Sequence, residues 1–144
     1  MKARCAIIRA MADEDDVLAA NAAFYAAFAA RNIEAMEAVW ARTVPVICVH
    51  PGWHALHGRD AVLASWRAIL GGGGAPPISC VQPRVYLFGE TALVVCTEEI
   101  PDAELVASNL FIREGSGWRL YHHHAGPAAR AEDESPPDEG GLLH

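Results

Sequence analysis

Apolar residues recur at helical spacing through the first half of the chain. The acidic run 13–16 predicts a helix over about 14–30, with Asp13 as its cap, because negative charge stabilises the positive end of the helix dipole. Asn32 is a candidate cap for a short second helix. A third amphipathic helix is predicted over 59–70, where four consecutive glycines end it.

The second half of the chain has the pattern of strands. Four apolar runs separated by glycine-containing turns predict a meander, at 78–89, 91–100, 104–114 and 117–126. Before the third helix, a short apolar run at 44–51 precedes a Pro51–Gly52 turn, after which 53–58 can pair back on it. Helices followed by a strand meander predict an α+β fold, in which three N-terminal helices pack on one face of a curved antiparallel sheet.

Some of the predicted strands are apolar on both faces. In 91–96, Leu93 and Val95 lie on one side, while Val94 and Cys96 lie on the other. Helices on one face would leave the second apolar face exposed, and large apolar patches usually bind a partner. The pattern therefore predicts a homodimer formed through the back of the sheet.

Composition limits the other partners. The net charge is −7 and Lys2 is the one lysine, so the chain has no basic cluster for nucleic acid or for an anionic membrane surface. No apolar run reaches the roughly 20 residues of a membrane span. The four cysteines have no CxxC spacing and predict reduced thiols in a cytoplasmic protein.

The 144 residues are enough for one domain with its own core. Residues 1–11 precede the acidic helix start and are interpreted as an N-terminal extension. Residues 128–144 are acidic and contain paired prolines and glycines, which predicts a flexible tail. The domain itself is expected over 12–127.

Three stretches resemble the SnoaL-like branch of the nuclear transport factor 2-like (NTF2-like) superfamily. They are "NAAFYAAFAARNIEAMEAVW" at 21–40, "HPGWHALHGRDAVLASW" at 50–66 and "SNLFIREGSGWRLYHHHAGP" at 108–127. The resemblance implies a cone in which helices close one side of a bent sheet, with a pocket between them and an acid–base residue inside. This fold hosts isomerases, dehydratases, hydrolases and non-catalytic assembly domains, so it does not identify the reaction.

The histidines are the first candidates for chemistry. In the last strand, strict alternation places His122 and His124 with Trp118 and Leu120 on the helix side, and His123 on the back. A bulge would exchange these roles, because one extra residue inverts the alternation. His50 is interpreted either as a turn residue packed on a tryptophan or as a polar group of the pocket.

Two further polar residues lie on the predicted strands. Glu98 is either a partly buried general base or a solvent-exposed residue at the end of its strand. Asn109 lies on an apolar face, where an isolated amide needs a partner, and the resemblance favours the cavity. The predicted catalytic groups are thus Glu98, His124 and His50. The predicted ligand contacts are Trp53, Asn109, His122, Trp66, Trp40, Phe111 and Tyr25.

No metal and no cofactor are predicted. The spacings His50–His54 and His54–His57 would suit a metal on a helix, and no helix is predicted there. If the short hairpin lies beside the last strand, however, His54 or His57 could join the histidine pair there.

The predicted function is binding of a small apolar organic molecule, with cofactor-free isomerisation, dehydration or hydrolysis if the protein is catalytic. The alternative is a non-catalytic ligand-binding or assembly domain that acts through dimerisation.

Overall fold

A computed structural model describes residues 2–129 and has the predicted α+β architecture. Its helices are α1 (Lys2–Ala29), α2 (Ile33–Val39) and α3 (Arg59–Gly71). Its strands are β1 (Ile47–Val49), β2 (Leu56–His57), β3 (Ser79–Phe88), β4 (Thr91–Ile100), β5 (Ala103–Glu114) and β6 (Gly117–Ala128). They form one sheet in the order β2-β1-β6-β5-β4-β3, antiparallel except for the parallel pair of β1 and β6. The short hairpin therefore lies beside the last strand.

The start of α1 differs from the prediction. The helix begins at Lys2, and Asp13 lies inside it instead of capping it. The residues before Asp13 contain alanine and arginine, which are good helix formers, and neither glycine nor proline. The Asp13 carboxylate accepts a hydrogen bond from the Arg113 guanidinium on β5 at 2.6 Å. It thus holds the helix against the sheet, while residues 2–12 are exposed.

The two shorter helices follow the sequence closely. The Asn32 side chain accepts a hydrogen bond from the backbone N–H of Ala35 at 3.1 Å, which confirms the predicted cap of α2. The Arg59 guanidinium at the start of α3 donates to three carbonyl oxygens at the end of α2 and just beyond it. This fixes α3 against α2, on the helix side of the sheet.

A bulge in β6 decides which histidine faces the helices. Leu110 of β5 pairs with His122, but the next residue, Phe111, pairs with Leu120, so Tyr121 is an extra residue. Beyond Tyr121 the alternation inverts, and His123 faces the helices with Leu120. The expectation that strict alternation holds is wrong, and the bulged alternative is the one found.

The core lies between the helices and the inner face of the sheet. Its fully buried side chains come from both layers and include Phe24, Met36, Trp40, Val94, Phe111 and Leu120. Strand β6 continues through Pro127 to Ala128, two residues past its predicted end at position 126. The predicted acidic tail lies outside the described residues from position 130 onward. No helix within 2–129 is long and apolar enough to cross a membrane.

Candidate functional site

A cavity of about 310 Å³ opens between the helices and the sheet. Its size is at the lower end of the range for small-molecule sites. Its walls come from α1, α3, the loop after β1, the segment after α3 and the adjoining ends of β4, β5 and β6. Most of the lining is apolar: Phe24, Phe28, Pro51, Trp53, Trp66, Ile69, Ala75, Pro76, Ile78, Ile100 and Leu105. The titratable side chains in the wall are Tyr25, His50, Glu98 and His123.

Glu98 is buried in this wall. The alternation of β4 turns Val94, Cys96 and Glu98 toward the helices, and Glu98 is only 2% exposed. Its carboxyl group accepts a hydrogen bond from the Tyr25 hydroxyl at 2.6 Å. Burial raises the pKa of Glu98, against the opposing effect of that hydrogen bond. Glu98 therefore lies in a buried position and not at a solvent-exposed end of its strand.

His123 lies beside Glu98 in the cavity wall, 3% exposed, where the sequence pattern did not place it. Its Nδ1 lies 2.6 Å from Oδ1 of Asn109. The Asn109 amide nitrogen donates to Asn21 Oδ1 at 2.9 Å and to the Tyr25 hydroxyl at 3.2 Å. Since Asn109 Oδ1 can only accept, Nδ1 of His123 carries the proton and Nε2 keeps its lone pair.

The free nitrogen of His123 faces the carboxyl group. Nε2 lies 4.0 Å from Oε2 of Glu98. Burial, together with the nearby histidines His50, His122 and His124, lowers the pKa of His123 to about 3. Because burial also raises the pKa of Glu98, the pair favours a neutral imidazole beside a protonated carboxyl over an ion pair.

His50 is the second histidine of the cavity wall. Its Nε2 lies 2.8 Å from the Ser65 hydroxyl, which donates its own hydrogen to the carbonyl oxygen of Val62 at 2.6 Å. His50 therefore donates through Nε2 and has a lone pair on Nδ1. Its ring packs edge-on against Trp53 at 4.8 Å and Trp66 at 4.7 Å. Burial lowers the pKa of His50 to about 4, so this ring is neutral at pH 7.

The expected ligand contacts divide into two groups. Tyr25, Trp53 and Trp66 line the cavity, with Trp53 at its mouth and 48% exposed. The other expected contacts do not line it. Asn109 lies behind His123 and is fully buried. Trp40 and Phe111 are fully buried core residues, and they do not line the cavity because it is displaced toward the open ends of the strands.

The expectation that His122 and His124 point into the cavity is wrong. The bulge at Tyr121 turns both of them to the outer face of the sheet, where His122 is half-buried and His124 is exposed. The catalytic role expected for His124 and the ligand contact expected for His122 therefore have no support from their positions. His123 takes the inward position that the pattern assigned to them.

The hairpin histidines His54 and His57 are both exposed. Although the hairpin does lie beside β6, no three His, Cys, Asp or Glu side chains within residues 2–129 are arranged to hold a metal ion.

The sequence pattern did not identify Asn21 as a residue of the site. The signal was present, since this amide interrupts the apolar stripe of α1 and is 2% exposed.

The chain is similar to several known proteins. The family model described as SnoaL-like domain matches residues 17–130. A candidate dehydratase of the NTF2-like family from Streptomyces avermitilis is 34% identical, with a TM-score of 0.75, over 83% of this chain and 98% of that one. A candidate calcium/calmodulin-dependent protein kinase type II association domain from Thiobacillus denitrificans is 36% identical, with a TM-score of 0.69, over 77% and 94%.

The fold is shared more widely than the sequence. An NTF2-like protein of unknown function from Pseudomonas putida is 20% identical over 88% of this chain and 98% of that one, with a TM-score of 0.70. No curated protein matches the chain. The family match covers most of the chain and includes all the residues of the cavity wall. The chain therefore belongs to the SnoaL-like family and has the NTF2-like cone fold.

Proposed function

We propose that this SnoaL-like protein is a cofactor-free lyase that removes water from a small, largely apolar organic molecule. One observation carries the proposal: His123 Nε2 and Glu98 Oε2 lie 4.0 Å apart in the wall of an apolar cavity. Groups with displaced pKa values in such a cavity are typical of acid–base sites. The 34% identity to a candidate dehydratase supports elimination of water over the other proton-transfer reactions of this fold.

The two groups supply the two proton transfers that dehydration needs. His123 Nε2 takes a proton from the carbon next to a substrate carbonyl. The electron pair of the broken C–H bond then forms the second bond of the new C=C group. Glu98 donates its proton to the hydroxyl group on the adjacent carbon, so that the C–O bond breaks and water leaves. The resulting imidazolium and carboxylate stabilise each other, and return of the proton from His123 to Glu98 restores the resting state.

The surrounding groups support this chemistry. The Tyr25 hydroxyl stabilises the Glu98 carboxylate as it forms, through the 2.6 Å hydrogen bond. The Trp66 ring lines the cavity as part of its apolar wall. The apolar wall excludes water and strengthens each of these interactions.

Paired variants test the acid and the base. Glu98→Gln and His123→Gln remove the titrating groups, and Glu99→Gln and His124→Gln change the exposed neighbours on the outer face. A panel of β-hydroxy ketones is incubated with each protein, and loss of water is followed by mass spectrometry. The inner variants should lose about 10²–10⁴-fold in rate and the outer ones almost nothing. Equal rates in all four, or no dehydration of any panel member by the wild type, would contradict the proposal.

A second function has support from one relative. The 36% identity to a candidate kinase association domain favours a non-catalytic domain that acts by assembly. The outer face of the sheet offers a surface for this, since Tyr86, Phe88 and Val106 are 47%, 62% and 46% exposed. We infer a homodimer through this face in either case. A wild-type protein that dimerises but catalyses nothing in the panel would favour the assembly domain.

The location of the protein is also inferred. All four cysteines are free, and Cys48 and Cys96 are buried. Burial raises the pKa of the Cys48 thiol to about 12, which keeps it unreactive. Free thiols of this kind support a reducing compartment such as the cytoplasm.

A further inference from the structure

We propose that Asn21, a residue of α1 outside the cavity wall, is a positioning residue that fixes which nitrogen of His123 carries the proton. It acts through Asn109, which lies between the two. The inference rests on the proposed function, because that function needs the lone pair of His123 on Nε2. Asn21 does not line the cavity, its side-chain hydrogen bonds go to Cys80 and Asn109, and it is 2% exposed.

The side-chain amide of Asn109 can be placed in two orientations related by a flip. In the orientation found, its oxygen faces His123 Nδ1 at 2.6 Å and its nitrogen faces Asn21 Oδ1 at 2.9 Å. In the flipped orientation the amide nitrogen would face Nδ1 and donate to it. The imidazole would then carry its proton on Nε2, and the base would be lost. The orientation of one buried amide therefore decides whether His123 can accept a proton from a substrate.

Tyr25 does not prevent the flip by itself. Its hydroxyl accepts from the Asn109 amide nitrogen at 3.2 Å, but a hydroxyl group can also donate. After a flip it could give its hydrogen to the Asn109 oxygen in place of Glu98. Asn21 Oδ1 cannot adapt in this way, because a carbonyl oxygen only accepts. A flipped Asn109 would place two acceptor oxygens against each other in a site without access to water.

Asn21 makes a hydrogen bond on each side. Its amide nitrogen donates to the Cys80 sulfur at 3.5 Å, and its oxygen accepts from Asn109 at 2.9 Å. The relay runs from β3 through α1 and β5 to β6, and its members are Cys80, Asn21, Asn109 and His123. Each contact is a hydrogen bond between buried or half-buried groups, where an unsatisfied polar atom is costly.

Nitrogen NMR of the histidine rings tests the proposal directly, because protonated and unprotonated ring nitrogens give separate signals. Protein labelled with ¹⁵N-histidine is measured at a pH where His123 is neutral, and His123 is assigned by its absence in His123→Gln. Wild-type protein should show an unprotonated Nε2. In Asn21→Leu, which keeps the size but removes the acceptor, the unprotonated signal should move in part or in full to Nδ1.

A second substitution provides the rescue. Adding Asn109→Asp to Asn21→Leu replaces the amide with a carboxylate, which has no donor in either orientation. The proton should therefore return to Nδ1 in the double variant. If Asn21→Leu does not fold, Asn21→Ser gives a smaller change, and its hydroxyl can both donate and accept, so it should allow both tautomers. An unprotonated Nε2 that persists unchanged in the folded Asn21 variant would overturn the proposal, as would failure of the rescue.

This measurement needs no substrate, so it separates the relay from the reaction. If the Asn21 variant moves the proton while the wild type dehydrates nothing, the relay stands and the lyase assignment fails. If the wild type is active and the Asn21 variant keeps both its tautomer and its rate, the lyase assignment stands and the positioning role of Asn21 fails.

Discussion

Lowering the pH from 7 to 5 should cost the folded protein about 2 kcal/mol through His123 alone. The pKa of this imidazole falls from an ordinary 6.5 to about 3 on folding, because the ring is buried and lies near other histidines. Between these two values the unfolded chain binds the proton and the folded chain does not. The contribution of the neutral His123 to the free energy of unfolding is therefore complete above pH 6.5, and it is lost as the pH falls toward 3.

The size of this loss follows from the difference between the pH and the pKa of His123 in the unfolded chain. At pH 5 the unfolded imidazole is about 1.5 pH units below its pKa, and each unit corresponds to about 1.36 kcal/mol. Glu98 acts in the opposite direction: its raised pKa makes the folded state bind a proton first, so stability from Glu98 increases as the pH falls toward 4.5. The two contributions must be separated in the experiment.

Glu98→Gln is therefore the background in which His123 is measured. Urea unfolding followed by tryptophan fluorescence gives the free energy of unfolding at pH 7 and pH 5, for Glu98→Gln and for Glu98→Gln with His123→Gln. The decrease from pH 7 to pH 5 should be about 2 kcal/mol smaller in the double variant. Identical pH dependence of the two proteins would refute the burial of a neutral His123, and with it the assignment of its lone pair.

The remaining predictions concern the surface, metal content and the N-terminal part of α1. Leu110→Arg on the outer sheet face should convert a dimer to monomers in light scattering, because an unpaired charge would be buried there; a wild-type monomer at micromolar concentration would contradict the dimer. Purified protein should contain no stoichiometric zinc, iron or manganese, and one metal per chain in elemental analysis would contradict this. Deletion of residues 2–10 should change the free energy of unfolding by less than about 0.5 kcal/mol, because they are exposed; a larger loss would show that they pack on the domain.

The elements of the fold could be predicted from local patterns. The cap at Asn32 and strand β4 at Thr91–Ile100 were found where the sequence placed them. Such features depend on neighbours in the chain, so a single sequence contains the information. The start of α1 was the exception. Asp13 has the chemistry of a helix cap, but the salt bridge to Arg113, a residue distant in sequence, gives it another partner.

The site depended on long-range pairing. A bulge is a mismatch between two strands, and nothing in "YHHHAG" shows that Tyr121 has no partner on β5. That one residue sends His123 into the cavity and turns His122 and His124 out of it. The sequence by itself determined that histidines, a carboxylate and an asparagine would meet on this sheet. Only the tertiary structure decided which histidine meets Glu98, because one extra residue in β6 reverses the face that every later side chain occupies.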